Sequence, residues 1–190
     1  MVMPIPVAFR ARGPYYTVDV LDELPADTCR YELVHGELLV TPAPTFWHQE
    51  LAARLFRQVD RYLERYPLGH VMFSPADVRW GRETGLQPDL FVIPPATARS
   101  MDWRAVRELL LVVEVLSPAT ARADRFTKRR RYQEAAVPWY WIVDPDAGAG
   151  EVWTPRATTP TIERERVSWE PSGAPEPLVV ELDALFRPVE

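Results

Sequence analysis

The sequence predicts an α/β fold built on a central β-sheet of mixed direction (α+β-like in its strand order) flanked by helices. Three observations carry this. Leu109 to Leu116 is almost continuously apolar, as a strand buried on both faces must be. Leu51, Leu55, Val59 and Leu63 recur at four-residue steps, the spacing of an amphipathic helix. Two apolar-rich segments flank His35-Gly36, as the strands of a hairpin flank a tight turn.

In chain order, residues 1–14 read as a loose tail and residues 15–187 as one domain. Thr17 to Leu24 is a short helix with Thr17 as cap and Pro25 as stop. The hairpin occupies Arg30 to Thr41. Thr45 caps the long helix, and Pro67 to Gly69 ends it. His70 to Trp80 reads as strand with a turn at Ser74-Pro75, and Gln87 to Pro94 as a short strand. Arg104 to Glu108 is a helical turn before the buried strand. Arg122 to Ala136 is helical by composition. Trp139 to Val143 and Glu151 to Thr154 are strands joined by the turn Asp144 to Gly148. Thr161 to Trp169 and Pro177 to Leu182 are further strands, and Asp183 to Phe186 is a closing helical turn. No linker, repeat or second core interrupts this order.

The formal charge of −5 argues against a broadly basic nucleic-acid-binding surface, although the field inside a cleft outweighs the sum. The twenty prolines lie between periodic segments and act as punctuation. A single cysteine, Cys29, excludes an internal disulfide framework and fits a reducing cytoplasm. The longest apolar run, Leu109 to Val113, is far too short to span a membrane, and Met1 to Phe9 lacks the basic start of a signal peptide.

Glu114 is the most informative residue. It interrupts a buried apolar strand, where an unpartnered carboxylate loses several kcal/mol of hydration. A metal ion, a basic side chain or escape to solvent must offset that loss. Asp89 follows Pro88 at the start of another strand. If the two strands are neighbours, Asp89 and Glu114 reach one hard cation such as Mg²⁺ or Mn²⁺, with substrate phosphate and water completing its shell. Asp124, Lys128 and Tyr132 share one helix face. As a surface pair, Asp124 and Lys128 contribute only about 0.3–0.5 kcal/mol. Turned toward the carboxylates, Lys128 is placed to orient or help deprotonate an attacking water. Glu32 and Glu37, flanking the hairpin turn, are candidate further oxygen ligands. His48 falls in line with Leu51 and Leu55 and so faces inward. Arg122, Arg125 and Arg129 belong to the one strongly basic stretch and are candidates for phosphate contact, or for pairing with the protein's own acids. A nucleotide-binding P-loop, a dinucleotide glycine motif, a nucleophile elbow and zinc-hydrolase histidine spacing are all absent.

Pro88-Asp89, the strand carrying Glu114 and the helix after it together resemble the PD-(D/E)xK restriction-endonuclease-like superfamily. Tyr31-Glu-Leu-Val-His-Gly-Glu37, Val113-Glu-Val-Leu-Ser-Pro118, Asp124, Lys128, Tyr132 and Trp139 to Pro145 look more narrowly like the bacterial Uma-type endonuclease family, over about Asp22 to Phe186. The resemblance implies a restriction-endonuclease-like fold and Mg²⁺- or Mn²⁺-dependent hydrolysis of DNA. It implies metal binding by Asp89, Glu114 and the Val115 carbonyl, with Lys128 positioning the water. The superfamily lysine two residues after the glutamate is replaced by Leu116, so Lys128 stands for a lysine that has migrated to the helix. The alternatives are a catalytically silent nucleic-acid-binding or assembly protein on the same scaffold, and a nuclease acting on RNA or DNA junctions. A homodimer would bring two sites to two strands.

Overall fold

The computed structural model describes residues 15–189, so the predicted tail of residues 1–14 lies outside the described residues. The first helix is a 3₁₀ turn, Val18–Glu23, rather than an α-helix. The Thr17 hydroxyl donates to the Asp19 carboxylate and so does not cap it. Strands β1 (Arg30–Val34) and β2 (Glu37–Thr41) form the expected antiparallel hairpin. His35 and Gly36 both take positive φ, the demand of a two-residue turn whose twist matches its strands. Helix α1 (Phe46–Arg65) starts at Thr45, whose hydroxyl accepts from the His48 N–H. Its buried stripe is His48, Leu51, Leu55, Val59, Tyr62 and Leu63.

Strand β3 (His70–Phe73) is followed by two short strands, β4 (Val78–Arg79) and β5 (Gly85–Leu86). The segment expected as one strand is therefore divided between two sheets. β4 and β5 extend the hairpin into the sheet β2-β1-β5-β4. Next come β6 (Leu90–Ile93), α2 (Pro95–Ser100) and a 3₁₀ turn at Trp103–Ala105. The helical turn expected over Arg104 to Glu108 lies earlier, at Trp103–Ala105, because the Asp102 side chain caps it by accepting from the Arg104 N–H.

The apolar strand β7 (Leu111–Val115) is central as expected. It pairs antiparallel with β6 and parallel with β8 (Tyr140–Asp144). The helical run over 121–134 contains a π-helical turn, Ala123–Lys128, before the regular α3 (Arg129–Glu134). Strands β9 (Ala149–Trp153) and β10 (Thr161–Glu163) complete the six-stranded order β10-β9-β8-β7-β6-β3. β11 (Arg166–Trp169) and β12 (Leu178–Glu181) form a separate antiparallel pair, followed by the short α4 (Leu182–Leu185).

The six-stranded sheet has a buried layer on each face. Leu111, Val113 and Val115 pack with Leu51, Leu55 and Val59 of α1 on one side. Val112 and Leu116 pack with Tyr132, Tyr140 and Ile142 on the other. Glu114 shares the parity of Val112 and Leu116, so the strand's alternation turns it toward the π turn and α3. Gly150 in β9 is what lets β11 approach, because a Cβ there would collide with the branched Val167 side chain. Gly150→Ala is expected to cost about 1–3 kcal/mol by overpacking, read as a lower urea midpoint at unchanged slope.

Candidate active site

The β6–β7 register pairs Leu90 with Val113. One step further sets Asp89 opposite Glu114, on the same side of the sheet. Like charges in facing positions repel, so this end of the sheet has to be balanced by other groups. The balance comes from three elements. β1 supplies Arg30 and Glu32, which share one face of the strand by its alternation. The N-terminal turn of α1 supplies His48. The π turn supplies Asp124 and Lys128.

Asp89 is buried and fully engaged. Its Oδ1 accepts from Arg30 Nη1 at 2.8 Å. Its Oδ2 accepts from the Val115 backbone N–H at 2.9 Å and lies 3.1 Å from His48 Nε2. Burial pushes the Asp89 carboxyl up, but the His48 hydrogen bond and the Arg30 charge outweigh it and hold the group well below the usual carboxylate range. Glu114 is 1% exposed and accepts from the Tyr132 hydroxyl at 2.9 Å and from Lys128 Nζ at 3.2 Å. Here burial dominates. Despite Lys128, the Glu114 carboxyl is raised well above its ordinary value, with Asp124, Asp89 and Glu32 adding to the rise.

Lys128 is also 1% exposed. Its Nζ stands 2.8 Å from Glu32 Oε2 and 3.1 Å from Asp124 Oδ1, as well as near Glu114. Burial opposes its charge, but the three acids overcome that and raise the ammonium well above its ordinary value. The Asp124–Lys128 contact is thus a buried pair and not a surface one. The π turn helps to make it so. The Asp124 carbonyl accepts both from the Arg129 N–H and from the Tyr140 hydroxyl at 3.0 Å, so Tyr140 reaches into the helix ladder where the turn widens.

A cavity of about 190 Å³ is lined by Asp89, Glu114, Arg30, His48 and the Ser117–Thr120 turn. Lys128 does not line it. It lies behind Glu114, so the amine expected to meet the water is instead bound to the acids that surround it. His48 Nε2 faces Asp89, and its Nδ1 is buried with no hydrogen-bond partner among the described residues.

Other expected residues lie elsewhere. Glu37 is exposed, because the two-residue turn sets it opposite Val34 at the hairpin tip. Arg125 is bound to Asp144 at 2.7 Å and Glu151 at 2.6 Å. Arg129 donates to Gln133 and lies over the Trp153 ring at 4.6 Å. These two are taken up by the protein's own groups rather than held free for phosphate, whereas Arg122 is exposed. Arg30 was not foreseen as a site residue. Its signal was the Arg30-x-Glu32 alternation in a strand otherwise rich in apolar residues.

Four acids (Glu32, Asp89, Glu114, Asp124) therefore face two permanent cations, Arg30 and Lys128, in largely buried surroundings. The hard oxygen donors and the negative excess suit a divalent cation. Among the described residues, no three His, Cys, Asp or Glu side chains already form a metal cage. Also among the described residues, no helix is long and apolar enough to cross a membrane.

A family model named Uma2 and described as "putative restriction endonuclease" matches residues 18–184. The structure is similar to the crystal structure of a protein from Anabaena variabilis described as "a putative nuclease belonging to DUF820". The TM-score is 0.71 at 17% identity, with 90% of this chain and 97% of that chain covered. Likeness at that identity establishes a shared fold. No curated protein matches the chain in sequence.

Proposed function

The chain belongs to the Uma2 family, described as putative restriction endonucleases, and from that membership we propose that it is a Mg²⁺- or Mn²⁺-dependent endonuclease hydrolysing DNA phosphodiester bonds. The observation that carries the reading is the facing pair Asp89 and Glu114, which line one cavity inside a cluster with more acids than cations. Asp89 and Glu114 would hold the cation, with the Val115 carbonyl as a third oxygen. Bound there, the cation supplies polarisation of the phosphate and a lowered pKa for water.

The protein's own groups divide the remaining work. Arg30, His48 and the Val115 N–H fix the Asp89 carboxylate. Tyr132 and Lys128 fix Glu114, and Lys128 keeps the acids at the closing end of the sheet from repelling one another apart. Arg30 borders the cavity and offers a permanent cation to a phosphate entering it.

The test is cleavage of supercoiled, linear and single-stranded DNA with Mg²⁺ or Mn²⁺, for the wild type, Asp89→Asn and Glu114→Gln. Cleavage should vanish with EDTA and in both variants. Equal cleavage by all three proteins would reject the assignment. A second readout is independent of turnover. Mn²⁺ at about 100 times its dissociation constant should add about 2.7 kcal/mol to wild-type stability and little to Glu114→Gln.

A second reading is a silent nucleic-acid-binding protein on this scaffold. It is favoured by Leu116 at the superfamily lysine position and by protein donors on both Asp89 oxygens. It predicts binding without metal-dependent cleavage.

A further inference from the structure

Asp89 and Arg30 border a second cavity, of about 260 Å³, besides the one they share with Glu114. The two cavities therefore meet at one pair of charged groups. Their chemistry differs. The second is walled by Ala52, Ala53 and Phe56 of α1 and by Phe73 at the end of the edge strand β3. The small side chains at 52 and 53 leave the space. Phe73 is 57% exposed, and Phe56 holds its ring edge-on at a centroid distance of 5.0 Å. Two exposed polar side chains, Gln49 and Arg57, and the half-buried Ser74 complete the lining.

An apolar slot with an exposed aromatic ring, an amide and a guanidinium suits a flat group with a π face and a polar edge. Beside a phosphodiester site, that group is a nucleobase. The ring offers stacking, which every base accepts, and Gln49 offers a donor and an acceptor for the base edge. Arg57, exposed and 3.6 Å from Glu50, offers positive charge to the flanking phosphates, with Arg30 held on Asp89 behind it. A base paired inside a duplex has both faces covered and cannot enter unless it is flipped out.

We propose that this cavity is a nucleobase subsite, and that the preferred substrate carries an unpaired base next to the phosphate at Asp89 and Glu114. This makes single strands, frayed ends and unpaired nucleotides better substrates than intact duplex. The inference rests on the nuclease reading for the identity of the polymer.

The test measures fluorescence anisotropy of the full chain with a short labelled DNA strand, with its perfect duplex, and with a duplex carrying one unpaired base. Ca²⁺ replaces Mg²⁺ so that the strands stay whole. Phe73→Ala removes the ring, and Ala53→Leu fills the slot. Each variant should weaken binding of the single strand and of the unpaired-base duplex by roughly 5- to 100-fold, the range for one lost base–aromatic stack. Perfect-duplex binding and the melting temperature should hold. Wild-type affinity for all three DNAs in both variants, or equal losses on all three, would overturn the subsite. Glu114-dependent cleavage with no effect of Phe73→Ala would remove the subsite alone. Phe73-dependent strand binding without any cleavage would remove the nuclease reading and leave the subsite standing.

Discussion

Lys128→Met should lower the stability of the fold by about 3–5 kcal/mol, the cost of breaking a buried charge network by deleting one partner. The Lys128 ammonium is the cation nearest to Glu32, Asp124 and Glu114, all within 3.2 Å. Methionine fills much of the same volume but leaves those acids buried without it. Urea unfolding at two pH values checks the cause. The deficit should shrink toward acid pH, where the Glu114 carboxyl is protonated, and grow toward neutral pH. A deficit independent of pH would mean that packing, not charge, is what the lysine supplies. Lys128→Arg keeps the charge but forces a planar fork into a site shaped for a compact ammonium, so it should recover only part of the loss.

Glu114→Gln should abolish metal-dependent cleavage by more than the roughly 10–100-fold seen when a group that merely supports a metal ligand is changed. Without metal it should make the protein more stable at neutral pH, and the sign follows from linkage. The Glu114 carboxyl is raised in the folded state, so folding takes up a proton there. That contribution is complete below the ordinary carboxylate value and is lost as pH rises through the elevated folded one. Asp89 runs the other way. Its depressed carboxyl contributes stability above the ordinary carboxylate value, and this is lost as pH falls. In EDTA, wild-type stability should therefore decline more steeply than that of Glu114→Gln as pH rises above the ordinary carboxylate range. Parallel pH profiles would place the proton elsewhere. Loss of cleavage together with a gain in stability separates a functional acid from a structural one.

Much of the buried charge cluster that forms the candidate site was legible in the sequence because burial and polarity conflict there. A carboxylate inside Leu111 to Val115 needs a partner, and the four-residue spacing of Asp124, Lys128 and Tyr132 puts candidates on one face. The hairpin, α1 and the central strand were legible because each has a clear periodicity. Other features depend on tertiary contacts with no local signature. Arg30 joins the candidate site only because β1 brings it to Gln87 and Asp89, which are distant in sequence. Whether Arg125 is free or paired depends on Asp144 and Glu151, which are distant in sequence. The division of His70 to Arg79 between two sheets follows from pairing with β6 and β5, which single-strand patterning does not encode. That Lys128 sits behind Glu114 rather than in the cavity also depends on tertiary packing, since helical spacing gives the face but not the depth.

The widened turn at Ala123–Lys128 makes chain length, as well as residue identity, part of the site. An α-helix advances by about 100° per residue. The widened turn holds about one residue more than that spacing allows, so deleting one between Asp124 and Lys128 would close the ladder into regular form and shut the opening through which the Tyr140 hydroxyl reaches the Asp124 carbonyl. Every side chain of the cluster could be retained and this contact would still be lost. A one-residue deletion in this stretch should therefore be far less tolerated than the same deletion in an exposed loop such as that between β9 and β10.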